Sequence, residues 1–123
     1  MVIRFQLFEI APDSGKPVGL FQGVHEQLES KQLEPIHREL LENLLKWFVI
    51  NLPEPASFSK TVPKTRRPKK GICWYKSSAT EHVSRMYEAK AILEFYDRMV
   101  DVTMRSKVGE VHYEDDFQVL ASG

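Results

Sequence analysis

Five ionisable side chains crowd the C-terminal end of the chain: Glu110, His112, Glu114, Asp115 and Asp116. Carboxylates beside an imidazole can hold a hard cation, or act as an acid and base pair. The spacing fits neither pattern that would make this chemistry specific. A calcium loop needs alternating ligands and a turn glycine, and helical zinc binding needs the HExxH arrangement. Consecutive acids are also the usual content of a hairpin tip held in water. A small metal-dependent enzyme at this hairpin is the third of three readings.

Nucleophilic chemistry finds less support. Cys73, the only cysteine, lies between Ile72 and Trp74, whereas a reactive thiol needs an exposed, electropositive setting. It reads as a packed small hydrophobe. His25, His37, His82 and His112 fall in no nucleophile motif, and His82 reads as a surface or capping-region histidine in the first turn of its helix. Lys76-Ser77-Ser78-Ala79-Thr80 would place a lysine and free backbone N–H groups where a phosphate could sit. The glycines of a phosphate loop are missing, and Ser78 with Glu81 fits a capping box. No catalytic residue, metal ligand or cofactor is assigned, and the balance leans away from an enzyme.

The strongest charge feature is a basic run. Lys60, Lys64, Arg66, Arg67, Lys69 and Lys70 place six positive charges within eleven residues, with no acid among them. The other eleven basic residues face all seventeen acidic ones, so a neutral chain divides into a basic segment and an acidic body. Such asymmetry bears on partners rather than on fold. Lysines and arginines on a connecting segment can neutralise phosphates, with Trp74 or Tyr75 offering a stacking face. A solvated linker is the plainer account of the same residues.

The elements that must position these groups follow from periodicity. Val2–Ile10 alternates, with Ile3, Phe5 and Leu7 on one face. Pro12-Asp13-Ser14-Gly15 is a turn by residue type, and Val18–Gln22 is expected as a second strand, making a hairpin. His25–Lys31 reads as a loop or a first helical turn. Pro35 suits the first position of a helix, after which Ile36, Leu40, Leu44, Trp47 and Phe48 mark an apolar stripe widened by Leu41 and Leu45. Asn51-Leu52-Pro53 ends it. The stretch 53–71 contains four prolines and the basic run, and reads as a long connection. Gly71 to Asp101 then gives a strand at Ile72–Tyr75, a helix with Val83, Met86, Ala89, Leu93 and Tyr96 on one stripe, and a strand with Val100, Val102 and Met104 on one face. A strand, a helix and a strand in one sheet predict a right-handed parallel crossover. Glu110–Tyr113 and Phe117–Ala121 predict a hairpin with Tyr113 facing Phe117, and Val111, Tyr113, Phe117, Val119 and Ala121 on one face.

At 123 residues the chain is sized for a single domain with its own core. It has no apolar run long enough for a membrane span, and its alternating N-terminus lacks the apolar core of a signal peptide. A lone cysteine fits a reducing compartment, so a cytoplasmic location is expected.

Several patches resemble a family of short, uncharacterised bacterial proteins. They are Trp47-Phe48 with Asn51-Leu52-Pro53, Pro55 and Phe58; Cys73-Trp74-Tyr75-Lys76 with Ser78-Ala79-Thr80-Glu81-His82; and Tyr113-Glu114-Asp115-Asp116-Phe117-Gln118-Val119. The family pairs a "WF…LP.P.RF" helix exit with a "CWF…A.EH" strand–helix and a "YEDE.QVVA" hairpin. The chain departs from it at Asp97-Arg98, where glycine is usual, and at Lys107-Val108-Gly109, where Arg-Pro-Gly is usual. The resemblance implies shared architecture and a bacterial or phage origin, and assigns no activity.

The expectation is thus a two-layer α+β domain over residues 1–123. A mixed, mostly antiparallel sheet of five or six strands would contain one βαβ crossover and carry two helices, Pro35–Asn51 and Ala79–Asp97, on one face. The uncovered face would present Asp101, Thr103, Arg105, His112 and Gln118. The leading function is a non-enzymatic interaction module that binds a protein partner or itself through that face or the basic loop. Nucleic-acid binding is the alternative, through Lys60, Lys64, Arg66, Arg67, Lys69 and Lys70, with Arg105 and His112 as further contacts.

Overall fold

A computed structural model describes residues 1–13, 15–52 and 71–122 of the chain. The elements are β1 (Val2–Ile10), β2 (Pro17–Gly19), α1 (Leu20–Glu29), α2 (Pro35–Asn51), β3 (Gly71–Lys76), α3 (Thr80–Phe95), β4 (Val100–Arg105), β5 (Val111–Glu114) and β6 (Gln118–Ser122). Most of the expected long connection, with all six of its basic residues, lies outside the described residues.

The sheet is built around β1, whose alternation buries Ile3, Phe5 and Leu7. On one side β1 pairs with β4 from Val2↔Arg105 to Leu7↔Val100. On the other it meets β3 only at Val2↔Lys76 and Ile3↔Tyr75, and β2 at Gln6↔Gly19 and Ile10↔Pro17. β3 continues to β6, and β6 to β5. Every ladder among the described residues is antiparallel. No ladder joins the strands flanking α3, expected as parallel neighbours or near neighbours; they run the same way in the sheet, one strand apart. β1 lies between β3 and β4, antiparallel to both, and so takes the place that direct pairing would have needed.

Three helices, not two, pack on the face of Ile3, Phe5 and Leu7 in one apolar cluster. The segment expected as a strand over Val18–Gln22 is strand only to Gly19, and then turns into α1. Gly23 lets α1 sit close to β1: a Cβ there would lie 2.9 Å from Leu7 Cδ1. The inward positions of α2 are Leu41, Leu44 and Phe48. Ile36 and Leu40, expected on the buried stripe, are exposed. The Tyr96 hydroxyl accepts from the Glu34 N–H at 2.9 Å, tying the start of α2 to the end of α3.

α3 begins without the predicted capping box. Ala79 is its N-cap with no side-chain cap, and Glu81 pairs with Arg85 instead. The other end closes with a Schellman arrangement: Arg98 N–H donates to Leu93 O and Asp97 N–H to Glu94 O, both at 3.0 Å. Asp97 occupies the left-handed position, φ 63°, where glycine is the usual residue. Arg98 then bridges three elements, donating to both carboxylate oxygens of Glu9, to Glu26 and to the Gly23 carbonyl. Among the described residues no helix is long and apolar enough to cross a membrane.

Candidate binding site

The acidic hairpin is committed to its own structure. Asp115 closes the turn: its Oδ1 accepts from the backbone N–H groups of Phe117 and Gln118 at 2.8 and 3.0 Å. Its Oδ2 accepts from the Tyr113 hydroxyl at 2.8 Å and Gln118 Nε2 at 3.0 Å. Burial pushes the carboxyl up, but the hydrogen bonds from Gln118, Phe117 and Tyr113 outweigh it and hold Asp115 below its ordinary value. Glu114 is ion-paired to Lys76 at 2.7 Å. Among the described residues no group of three or more His, Cys, Asp or Glu side chains is placed to hold a metal ion.

This turn also corrects the hairpin register. Tyr113 faces Leu120, and Glu114 faces Val119, rather than Tyr113 facing Phe117. Gln118 opposes Tyr75 across β3 and is 1% exposed, so it does not belong to the uncovered face. Its Oε1 accepts from the Cys73 thiol at 3.2 Å. Burial, then the nearby charge of Asp115, push that thiol up to about 12. Cys73 is thus an unreactive hydrogen-bond donor at neutral pH. His82 is also buried, against the surface reading: it stacks on Phe117 at 4.4 Å and donates from Nε2 to the Asn51 carbonyl at 2.8 Å.

An opening comes from the way the sheet divides. β3 leaves β1 after Tyr75, and β2 takes up β1 again only at Gln6. Between them lies a cleft of about 700 Å³. Consecutive residues of β1 (Arg4, Phe5, Gln6) and of β3 (Ile72, Cys73) line it. Neighbours on a strand point to opposite faces, so both can line one space only where the strand edge itself is open. Phe5, Tyr75, Leu20 and Met86 supply apolar walls, and Arg4 and Lys16 supply positive charge. No acidic side chain lines it among the described residues.

The face away from the helices holds a second set of groups. By register, Arg4 lies opposite Thr103, and Val2 opposite both Arg105 and Lys76. Asp101, Thr103 and Arg105 share this face as expected. His112 is exposed on β5, at the other end of the strand order, with β1, β3 and β6 between it and the strand of Arg105. In the middle lies Trp74, 1% exposed, with the guanidiniums of Arg4 and Arg105 at 4.8 and 5.4 Å from its ring centroid. Burial, and next the charge of Arg105, lower the pKa of Arg4, with Asp101 opposing. The sequence singled out Arg105 but gave no reason to join it to Arg4, because their strands are a hundred residues apart in the chain.

Comparison with protein-family models, with curated proteins and with solved structures finds no significant match.

Proposed function

We propose that the protein is a non-enzymatic binding module that takes an extended, acidic segment of a partner protein into the cleft between β2 and β3. The observation that carries this reading is the strand edge: β3 at Ile72 and Cys73, and β1 at Arg4 and Phe5, border the cleft with no strand between them among the described residues. An added strand satisfies backbone donors and acceptors there, while alternate side chains reach the apolar walls. Arg4 and Lys16, with no acid in the lining, select for negative charge.

The test is selection from a displayed library of random heptapeptides, with Arg4→Glu/Lys16→Glu protein as the counter-target. Peptides alternating apolar and acidic residues should be enriched on the native protein and lost on the variant. No enrichment, or a basic consensus, refutes the reading.

Nucleic-acid binding is a second reading, favoured by the basic run Lys60–Lys70 together with the paired guanidiniums of Arg4 and Arg105. Anisotropy titration with labelled single-stranded DNA at two salt concentrations separates the two. Phosphate contacts require a steep fall in affinity with salt, and Arg66→Ala/Arg67→Ala should weaken binding further. No binding at low salt ends this reading.

A further inference from the structure

We infer that Arg4, Arg105 and Trp74 form an oxyanion site on the sheet face away from the helices, suited to a phosphate group. Two guanidiniums lie over one buried indole, 4.8 and 5.4 Å from its centroid. Neither has an ion-pair partner among the described residues, although the neighbouring Lys76 is neutralised by Glu114. Arg4 Nε is buried without a hydrogen-bond partner. Asp101, which accepts from Thr103 Oγ1 at 3.3 Å, offsets only part of the effect on Arg4. Two like charges held close on a partly buried surface repel unless an anion joins them, and Arg105 already depresses Arg4.

Phosphate fits this charge and geometry better than a single carboxylate. Its two negative charges match two guanidiniums, and its oxygens accept from both forks at once. Cation–π contact holds both guanidiniums beside the one Trp74 ring, so the donors are gathered before the ligand arrives. Arg105 is exposed, leaving the site open to solvent.

The site goes beyond the peptide reading and is separable from it. Arg105 does not line the cleft, and Lys16 is not part of the oxyanion set.

The experiment uses the full chain with Trp47→Phe, so that Trp74 is the sole tryptophan, and follows its fluorescence at constant ionic strength. Inorganic phosphate should give a saturable change, and sodium chloride and acetate none. Phenyl phosphate in a parallel titration distinguishes a site for phosphate esters, which it should fill equally well, from one restricted to the free ion. Arg105→Ala should weaken phosphate about tenfold or more, the loss of one charge-assisted partner, and Arg105→Lys by less. Lys16→Glu should leave phosphate binding in place. Circular dichroism establishes that each variant is folded, and Arg105→Gln serves if the alanine variant is not. No saturable response, an equal response to chloride, or binding unchanged in folded Arg105→Ala overturns the inference.

Discussion

Asp115 supports more structure than any other carboxylate in the hairpin, and replacing it offers a quantitative test of how β3, β5 and β6 are joined. Asp115→Ala removes the acceptor for two backbone N–H groups, those of Phe117 and Gln118. Side-chain capping of this kind contributes about 1 kcal/mol. The variant also strips Gln118 Nε2 of its carboxylate partner. Gln118 is almost wholly buried, and a hydrogen bond to a charged group contributes about 1.5–3 kcal/mol. The sum is about 3 kcal/mol, reduced because Asp115 itself is only half-buried. Asp115→Asn retains the Oδ1 acceptor but turns an N–H towards Gln118 Nε2, so about half the loss should remain.

Urea denaturation followed by circular dichroism measures this directly. With a slope of about 1–3 kcal/mol per molar urea for a domain of this size, the alanine midpoint should fall by about 1 M or more. Asp116→Ala removes a neighbouring exposed acid and should stay within about 0.5 kcal/mol. The pH dependence follows from the depressed pKa. A carboxyl held lower in the folded than in the unfolded state stabilises above its unfolded value, and loses that contribution as pH falls through its folded value. The gap between native protein and Asp115→Ala should therefore narrow in acid. Equal midpoints for Asp115→Ala and Asp116→Ala at neutral pH would refute the proposed role.

Asp97→Gly should stabilise the protein by about 0.5–1 kcal/mol, since φ 63° strains any residue with a Cβ, and a lower urea midpoint would show the position is occupied differently. Arg98→Ala should cost about 2 kcal/mol: about 1 from the Gly23 carbonyl and about 0.5 from each glutamate pair, discounted because Glu9 and Glu26 are more than a third exposed. Hydrogen bonding to Arg98 holds Glu9 below its ordinary value, so the Arg98 contribution should be present at neutral pH and shrink as pH falls; a pH-independent difference would exclude the pairing with Glu9. Cys73 should react with iodoacetamide at pH 8 on the order of a thousandfold more slowly in the folded than in the urea-unfolded chain, its thiol being pushed from 9.0 to about 12; rates within tenfold would mean the thiol is not held in a buried setting.

Local pattern made some elements readable and left others hidden. α2 runs over Pro35–Asn51 as Pro35 at its start and Asn51-Leu52-Pro53 at its end imply, because these are backbone effects independent of tertiary context. Which side of α2 faces inward was less readable, since Ile36 and Leu40 offer an apolar stripe that packing against α1 and α3 does not use. α1 escaped notice because two of its four inward positions are Gly23 and Gln27, which interrupt the apolar repeat. The hairpin register was misjudged because Asp115 looks like one of three loop acids until its hydrogen bonds place it at the closing position of the turn. Strand order and the cleft depend on where β3 parts from β1, a long-range pairing that no local period encodes. The arginine pair over Trp74 has the same origin, joining residues 4, 74 and 105 across three strands.

Chemical-shift perturbation of backbone amides on adding a selected acidic heptapeptide bears most directly on the binding reading. Shifts and new exchange protection should concentrate at Arg4–Gln6 and Ile72–Cys73, as an added strand requires. Perturbation confined to the outer faces of the helices or to the β5–β6 hairpin, with those amides unmoved, would contradict it.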